Sequence, residues 1–379
     1  MTQEIVIKGM TWSDPRGFDP LVAASAAFAK SRHGVHIEWD KRSLQGFEST
    51  PVDALAQTYD LMIIDHPHVG AVIKEYCLRP FDPATHGTAL RRLEAEIVGK
   101  SFHSYFYEGK QWALPVDAAC QVQAIRPDLL PAPLTRMDDV LSLARDGRVI
   151  WPLRPPHVLM SFFTLLANSG APFPVVKGDP IPRTTALRVL TVMRAFHDAI
   201  DPACRNMDPI AALDALAEGD RFALCPLVYL YAPYGRDGYR DHTIAFHDMP
   251  ALGHAGPLGS ALGGTGIAIS ARTAHPEICT EFALWVASAP VQRGIYSNNN
   301  GQPANAYAWG DADVNATVGH AYAKTRMTHE AAWLRPRHAG YMGFQEDGSH
   351  ILIDALTGAT SHDAALDALQ TRFDESFST

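Results

Sequence analysis

No stretch of this chain reaches the roughly 18 consecutive apolar residues of a membrane-spanning helix, so membrane insertion is not expected. The amino terminus lacks a basic segment, an apolar segment and a small-residue cleavage site, and runs from Met1 straight into the alternating Glu4-Ile5-Val6-Ile7-Lys8. Read as a native full-length chain, it is expected to be cytoplasmic; a trimmed start would suit a periplasmic protein. Cysteine is scarce. The five present (Cys77, Cys120, Cys204, Cys225, Cys279) are widely spaced, odd in number and form no CxxC pair, which argues for buried, reduced thiols over a disulfide framework or a zinc site. Runs of Lys or Arg are also missing, and a net charge of -9 makes a nucleic-acid surface unsuited to this chain.

Catalytic signatures are missing too. There is no GxSxG elbow: Gly259-Ser260-Ala261-Leu262-Gly263 matches those letters only if shifted, and it has no strand before it. His66 and His68 beside Asp65 lack an HExxH or a cysteine partner, so no metal is expected and the histidines read as polar walls. Asp65 and Asp117 are the carboxylates that glycosidase chemistry would pair, but nothing in the sequence fixes their separation. No enzyme activity and no cofactor are expected.

What is present is a chain of 379 residues, 47% hydrophobic, long enough that two lobes are expected. Ile5 to Lys8 reads as a strand, Met10 to Gly17 as a loop, and Asp19 to Lys30 as a helix with Asp19 as N-cap and Pro20 at the first turn. Val35 to Trp39 alternates as a second strand, which makes a βαβ unit and predicts a parallel sheet. Asp60 to Asp65 is a buried strand ending at the loop His66-Pro67-His68. Ligands of open α/β sheets collect at such carboxyl ends, so the Met10–Gly17 and Asp65–His68 loops are expected to lie together. Later come a short strand at Val149–Pro152, helices over His157–Asn168 and Thr185–Ile200, and an aromatic-rich strand Cys225–Tyr231. The glycine-rich stretch Gly253 to Gly266 leads into a strand, Ile267–Ser270, whereas a phosphate-binding turn leads into a helix. It reads as a backbone crossing that needs positive φ.

The segment Tyr105 to Leu130, YFYEGKQWALPVDAACQVQAIRPDLL, organises the rest. Gly109-Lys110 is a turn signal, and Pro115 inside the apolar run from Gln111 to Ile125 argues for a strand that lies at an edge or changes neighbours. This segment resembles the hinge strand of the extracellular solute-binding proteins of ABC importers, the maltose-binding-like receptors. An aromatic and a Gly-Lys turn precede an Ala-x-Pro strand, and Asp128-Leu129-Leu130 matches the helix start near which that strand ends, although Arg126-Pro127 stands where the family has Tyr-Asn. Other segments are similar to the family in order: Leu134 to Asp139 with Thr135 as helix cap, Ala211 to Leu224, Ser288 to Gln292, Asn300 to Ala304, and the closing helices around Ile351–Gly358 and Ala364–Gln370.

The resemblance implies an α/β, two-lobed periplasmic-binding-protein-like fold of type II. Each lobe is a mixed, mostly parallel sheet flanked by helices, with hinge strands between: residues 1–115 with 267–315, and 116–266 with 316–379. It further implies a receptor that captures a small ligand in the interlobe cleft by hinge closure, with an ABC permease as possible partner. The alternative is a cytoplasmic carrier or sensor, or a cleft enzyme, on the same fold. Resemblance and strand-end topology nominate Trp12, Asp14, Asp65, His66, Asp117, His157, Tyr229, Tyr231, Gly264, Thr265, Arg337 and Tyr341 as ligand-binding residues. The rings of Trp12, Tyr229, Tyr231 and Tyr341 offer flat surfaces for stacking. Arg335 and Arg337 around Pro336 form a fork suited to a carboxylate or phosphate, so the expected ligand is anionic.

Overall fold

A computed structural model describes residues 4–378 apart from 45, 47–49 and 254–255; His254 and Ala255 of the glycine-rich stretch therefore lie outside the described residues. The chain divides into two compact units, Met1–Ala118 with Gly263–Val314 and Ala119–Leu262 with Asn315–Thr379.

In the first unit, β1 (Ile5–Trp12) and β2 (Val35–Arg42) pair in parallel around helix α1 (Pro15–Ser31). The βαβ expectation holds, but the helix starts a turn earlier than Asp19, and no Met10–Gly17 loop exists. Asp14 is the cap, its carboxylate accepting from Arg16 N at 2.9 Å, and Pro15 takes the first turn while Pro20 lies inside the helix. Strand β3 (Leu61–Asp65) adds in parallel to β1, and β7 (Leu262–Ser270) adds antiparallel to β3, so the sheet order is β2-β1-β3-β7. Met10, Met62, Ile64, Val69, Val72, Tyr105, Trp112 and Ala268 form the core beneath it.

The second unit is built on β4 (Ala113–Ile125), which is buried along its whole length. Its carboxyl half lies between β5 (Leu224–Tyr229) and β6 (Ala245–His247), both antiparallel to it. Its amino half belongs to the first unit, where Asp117 bridges to Pro303. The strand with Pro115 does change neighbours, as a proline that cannot donate to a ladder requires. Helix α2 (His157–Asn168) has the expected bounds; α3 (Arg183–Ala199) and α4 (Tyr341–Thr357) pack against it, and α5 (His362–Glu375) packs against α3 and α4. Their shared interior is aromatic, with Phe173 within 6 Å of the ring centres of Phe163, Phe344 and Phe373.

Two shorter expectations fail. Val149 makes only a single bridge to Leu224, and Thr135 is not a cap, because the helix Met137–Arg145 begins after Arg136. The glycine-rich stretch enters β7 through irregular backbone, with positive φ at Gly256, Gly259 and Gly264, as expected of a crossing. Gly263, Gly264 and Gly266 lie inside β7, and of these only Gly264 has positive φ, at 90°. Gly266 is there for space: a Cβ would sit 2.8 Å from the Tyr105 ring.

Candidate functional site

At the carboxyl end of β3, Asp65 accepts from His66 N at 2.8 Å and faces the His66 Nδ1 at 3.3 Å, which orients the imidazole. That ring is buried and meets Tyr105 edge-on at 6.2 Å. Across the ladder Asp65 pairs with Thr265, next to Gly264 on β7. Four nominated residues thus come together at one strand end. The Thr265 side chain is buried, and its Oγ1 has no hydrogen-bond partner among the described residues. Such a hydroxyl costs about 1–3 kcal/mol unless something supplies the bond.

Trp12, Asp14 and Asp117 gather at a second place in this unit, in roles that differ from expectation. Trp12 is the last residue of β1, not a loop residue; it is 3% exposed, and its ring lies over Gly17, where a Cβ would be 2.3 Å away. Asp14 caps α1. Asp117 is fully enclosed, and its carboxylate is held at both oxygens by Arg16, with Nε to Oδ2 at 2.7 Å and Nη2 to Oδ1. A carboxylate engaged in this way anchors the strand; it does not stand ready for a ligand or for a nucleophilic role. Sequence reasoning missed Arg16, because its partner lies 101 residues away.

In the second unit the centre is His157, the first residue of the twelve-residue α2 and 2% exposed. Neither ring nitrogen has a hydrogen-bond partner among the described residues. Burial first, then the positive charges of Arg154 and Arg335, push its pKa down to about 3, so the ring is neutral at physiological pH. Tyr229, at the end of β5, meets it edge-on at 6.3 Å.

Arg335 is buried, donating to the Leu262 carbonyl at 3.1 Å and the Gln345 Oε1 at 3.0 Å, while Arg337 is half-buried. Arg154 lies 3.3 Å from the Asp208 carboxylate. Tyr341 opens α4 fully buried, edge-on to His338 at 6.0 Å. Tyr231 is buried as well and packs edge-on against Tyr234 at 6.5 Å. Both rings were expected as open stacking surfaces, but their own unit's aromatics take up ring edges and faces.

One buried network fixes α2. Gln121 on β4 donates to Ser161 Oγ at 3.1 Å and accepts from Thr164 Oγ1 at 2.6 Å; Trp151 Nε1 donates to the same serine at 3.1 Å, and Ser260 Oγ donates to the Gln121 carbonyl at 2.7 Å. Sequence reasoning missed this network; Ser161 and Thr164 on an otherwise apolar helix were the signal that could have found it. All five cysteines are free and buried, and burial pushes Cys77 and Cys279 up to about 12, which leaves them inert thiols. Among the described residues no group of three or more His, Cys, Asp or Glu is placed to hold a metal, and no helix is long and apolar enough to cross a membrane.

No protein-family model matches this sequence, and no curated protein matches it. Solved structures do match. Maltose-bound MalE3 of T. maritima is 15% identical, with a TM-score of 0.82 over 97% of this chain and 98% of the other. An ABC transporter solute-binding protein of Agrobacterium radiobacter in complex with ribitol is 18% identical, TM-score 0.78, over 98% and 99%. The GacH receptor of Streptomyces glaucescens, solved unliganded and with acarbose, is 17% identical, TM-score 0.80, over 98% of each chain. Across nearly its full length, this chain has the two-lobed α/β fold of the maltose-binding-like solute-binding proteins.

Proposed function

We propose that the protein is a solute-binding protein that captures a small ligand without turning it over, as the receptor of an ABC-type importer. The carrying observation is that two nominated residues, Thr265 in one unit and His157 in the other, present buried polar side chains with no partner among the described residues. Native interiors rarely leave such groups unmatched. The similar structures support the reading, because they hold maltose, ribitol and acarbose.

The finer part concerns closure and charge. A ligand touched by both units binds the closed form better and shifts the population toward it. The chain passes between units within β4, within β7 and after Val314, so few backbone positions need to turn. Arg335 and Arg337 favour a ligand with a carboxylate or phosphate, since paired N–H donors match planar anions.

Native mass spectrometry of gently purified protein should reveal retained ligand. A thermal-shift screen of neutral sugars, polyols, organic acids and phosphorylated compounds should find stabilisation by anions, weakened in Arg337→Ala and partly kept in Arg337→Lys. Scattering at saturation should give a smaller radius of gyration. Stabilisation by neutral sugars alone, unchanged in Arg337→Ala, defeats the anionic reading; no retained ligand and no stabilising compound anywhere in the screen defeats solute capture.

A further inference from the structure

His157 constrains the ligand more tightly than charge does, in a way that rests on the solute-binding reading. A neutral imidazole has one N–H donor and one bare nitrogen acceptor. In His157 both are buried and unpartnered among the described residues, each costing about 1–3 kcal/mol if left so. The two nitrogens point away from each other, so two separate groups must satisfy them. Tyr229 approaches the ring edge-on and gives it an apolar wall.

The surroundings sort those two groups by charge. His157 sits at the amino end of α2, where the helix macrodipole is positive, and Arg154 and Arg335 add to that field. One partner is therefore an anionic oxygen that takes the N–H. The other must donate to the bare nitrogen, which a carboxylate or phosphate oxygen cannot do but a hydroxyl can. Three backbone amides of the helix start are already taken: those of His157, Leu159 and Met160 are bonded to the carbonyls of Arg154 and Pro156.

We propose that His157 reads two groups of one ligand several bonds apart, an anionic oxygen and a hydroxyl, so that the ligand is a polyhydroxylated acid or a sugar phosphate. A plain carboxylic acid lacks the hydroxyl. A neutral sugar lacks the charge, and a short hydroxy acid lacks the span.

Titration calorimetry with gluconate, glucose 6-phosphate, glucose, hexanoate and lactate tests this on the full chain. Gluconate or glucose 6-phosphate should bind, and which of them binds separates carboxylate from phosphate. Glucose, hexanoate and lactate should each be weaker by about tenfold or more, the loss of one such bond. His157→Phe should lose about tenfold for the bound acid, while His157→Gln, which keeps a donor and an acceptor, should stay within about threefold. Binding of glucose, hexanoate or lactate as tight as the acid's, or unchanged affinity in a folded His157→Phe protein, overturns the proposal. So does a folded wild-type protein that binds none of the five, and the wider screen then shows whether solute capture itself survives. If His157→Phe does not fold, the probe series on the wild-type protein decides alone.

Discussion

Arg16, in the first turn of α1, grips both carboxylate oxygens of Asp117, two residues before the division of the chain within β4. Both side chains are nearly inaccessible, at 4% and 0% exposure, so neither charge is solvated if the other is lost. Removing one member of a buried pair typically costs about 3–5 kcal/mol, whereas replacing both by apolar residues is often neutral. Arg16→Met should therefore lower the urea midpoint strongly, and Arg16→Met combined with Asp117→Leu should recover most of it. Equal loss in the single and double variants would show that packing, not the unpaired carboxylate, sets the cost.

Acid should destabilise the protein through its buried histidines. His157 and His329 are each held down to about 3 by burial and neighbouring arginines, against an ordinary value near 6.5. Between those values the unfolded chain binds more protons than the folded one, so stability is full above pH 6.5 and falls as pH drops toward 3. Each histidine contributes a slope of about 1.4 kcal/mol per pH unit. Urea titrations from pH 7 to 4 should show the decline, and His157→Phe with His329→Leu should flatten it. A profile with the same slope in that double variant would assign the effect to other groups.

Gly266→Ala should cost about 1–3 kcal/mol by overpacking. Its Cβ would meet the Tyr105 ring at 2.8 Å and Ala113 Cβ at 3.1 Å, and Tyr105 is tied by its hydroxyl to the Ile64 carbonyl at 3.0 Å. Gly266→Ala in a Tyr105→Leu background should lose much less, and denaturant melts of the two pairs measure the difference.

Gln121→Leu should loosen α2 without emptying its core. The change removes the acceptor of the Thr164 hydroxyl and one of two donors to Ser161 Oγ, at about 1–3 kcal/mol for the hydroxyl left unmatched. Hydrogen exchange of the α2 amides should speed up in this variant. If exchange there stays at the wild-type rate, the network does not hold the helix that carries His157.

How far these features could be read in advance depended on whether their cause was local. The bounds of α2 were legible because eight apolar residues in a twelve-residue segment recur at helical spacing; nearly all of its residues are buried. The start of α1 was misjudged because Asp14-Pro15 and Asp19-Pro20 carry the same signal. Asp14 caps the helix, while the Asp19 carboxylate accepts from Asn300 at 2.7 Å, a partner 281 residues away. The strand before it was ended at Lys8 but runs on to Trp12, through Gly9, which is needed because the Trp39 ring lies 2.5 Å from where its Cβ would be. That shift turned Trp12 from a loop residue into a strand end. His157 and Thr265 were nominated from position in the chain, but their unmatched nitrogens and hydroxyl are visible only in three dimensions.

The strand order β2-β1-β3-β7 also sets a schedule for the ribosome. Strand β3 ends at Asp65, but the neighbour that covers its outer edge, β7, is not complete until Ser270. At roughly 5–20 residues per second, translation of the intervening chain takes on the order of 10–40 s, and during that time the unpaired backbone edge of a largely apolar strand stands open. The nascent chain must stay unaggregated while the first stretch of the second unit, Ala119–Leu262, is made, which makes the half-synthesised protein a natural client for chaperones that shield exposed strands.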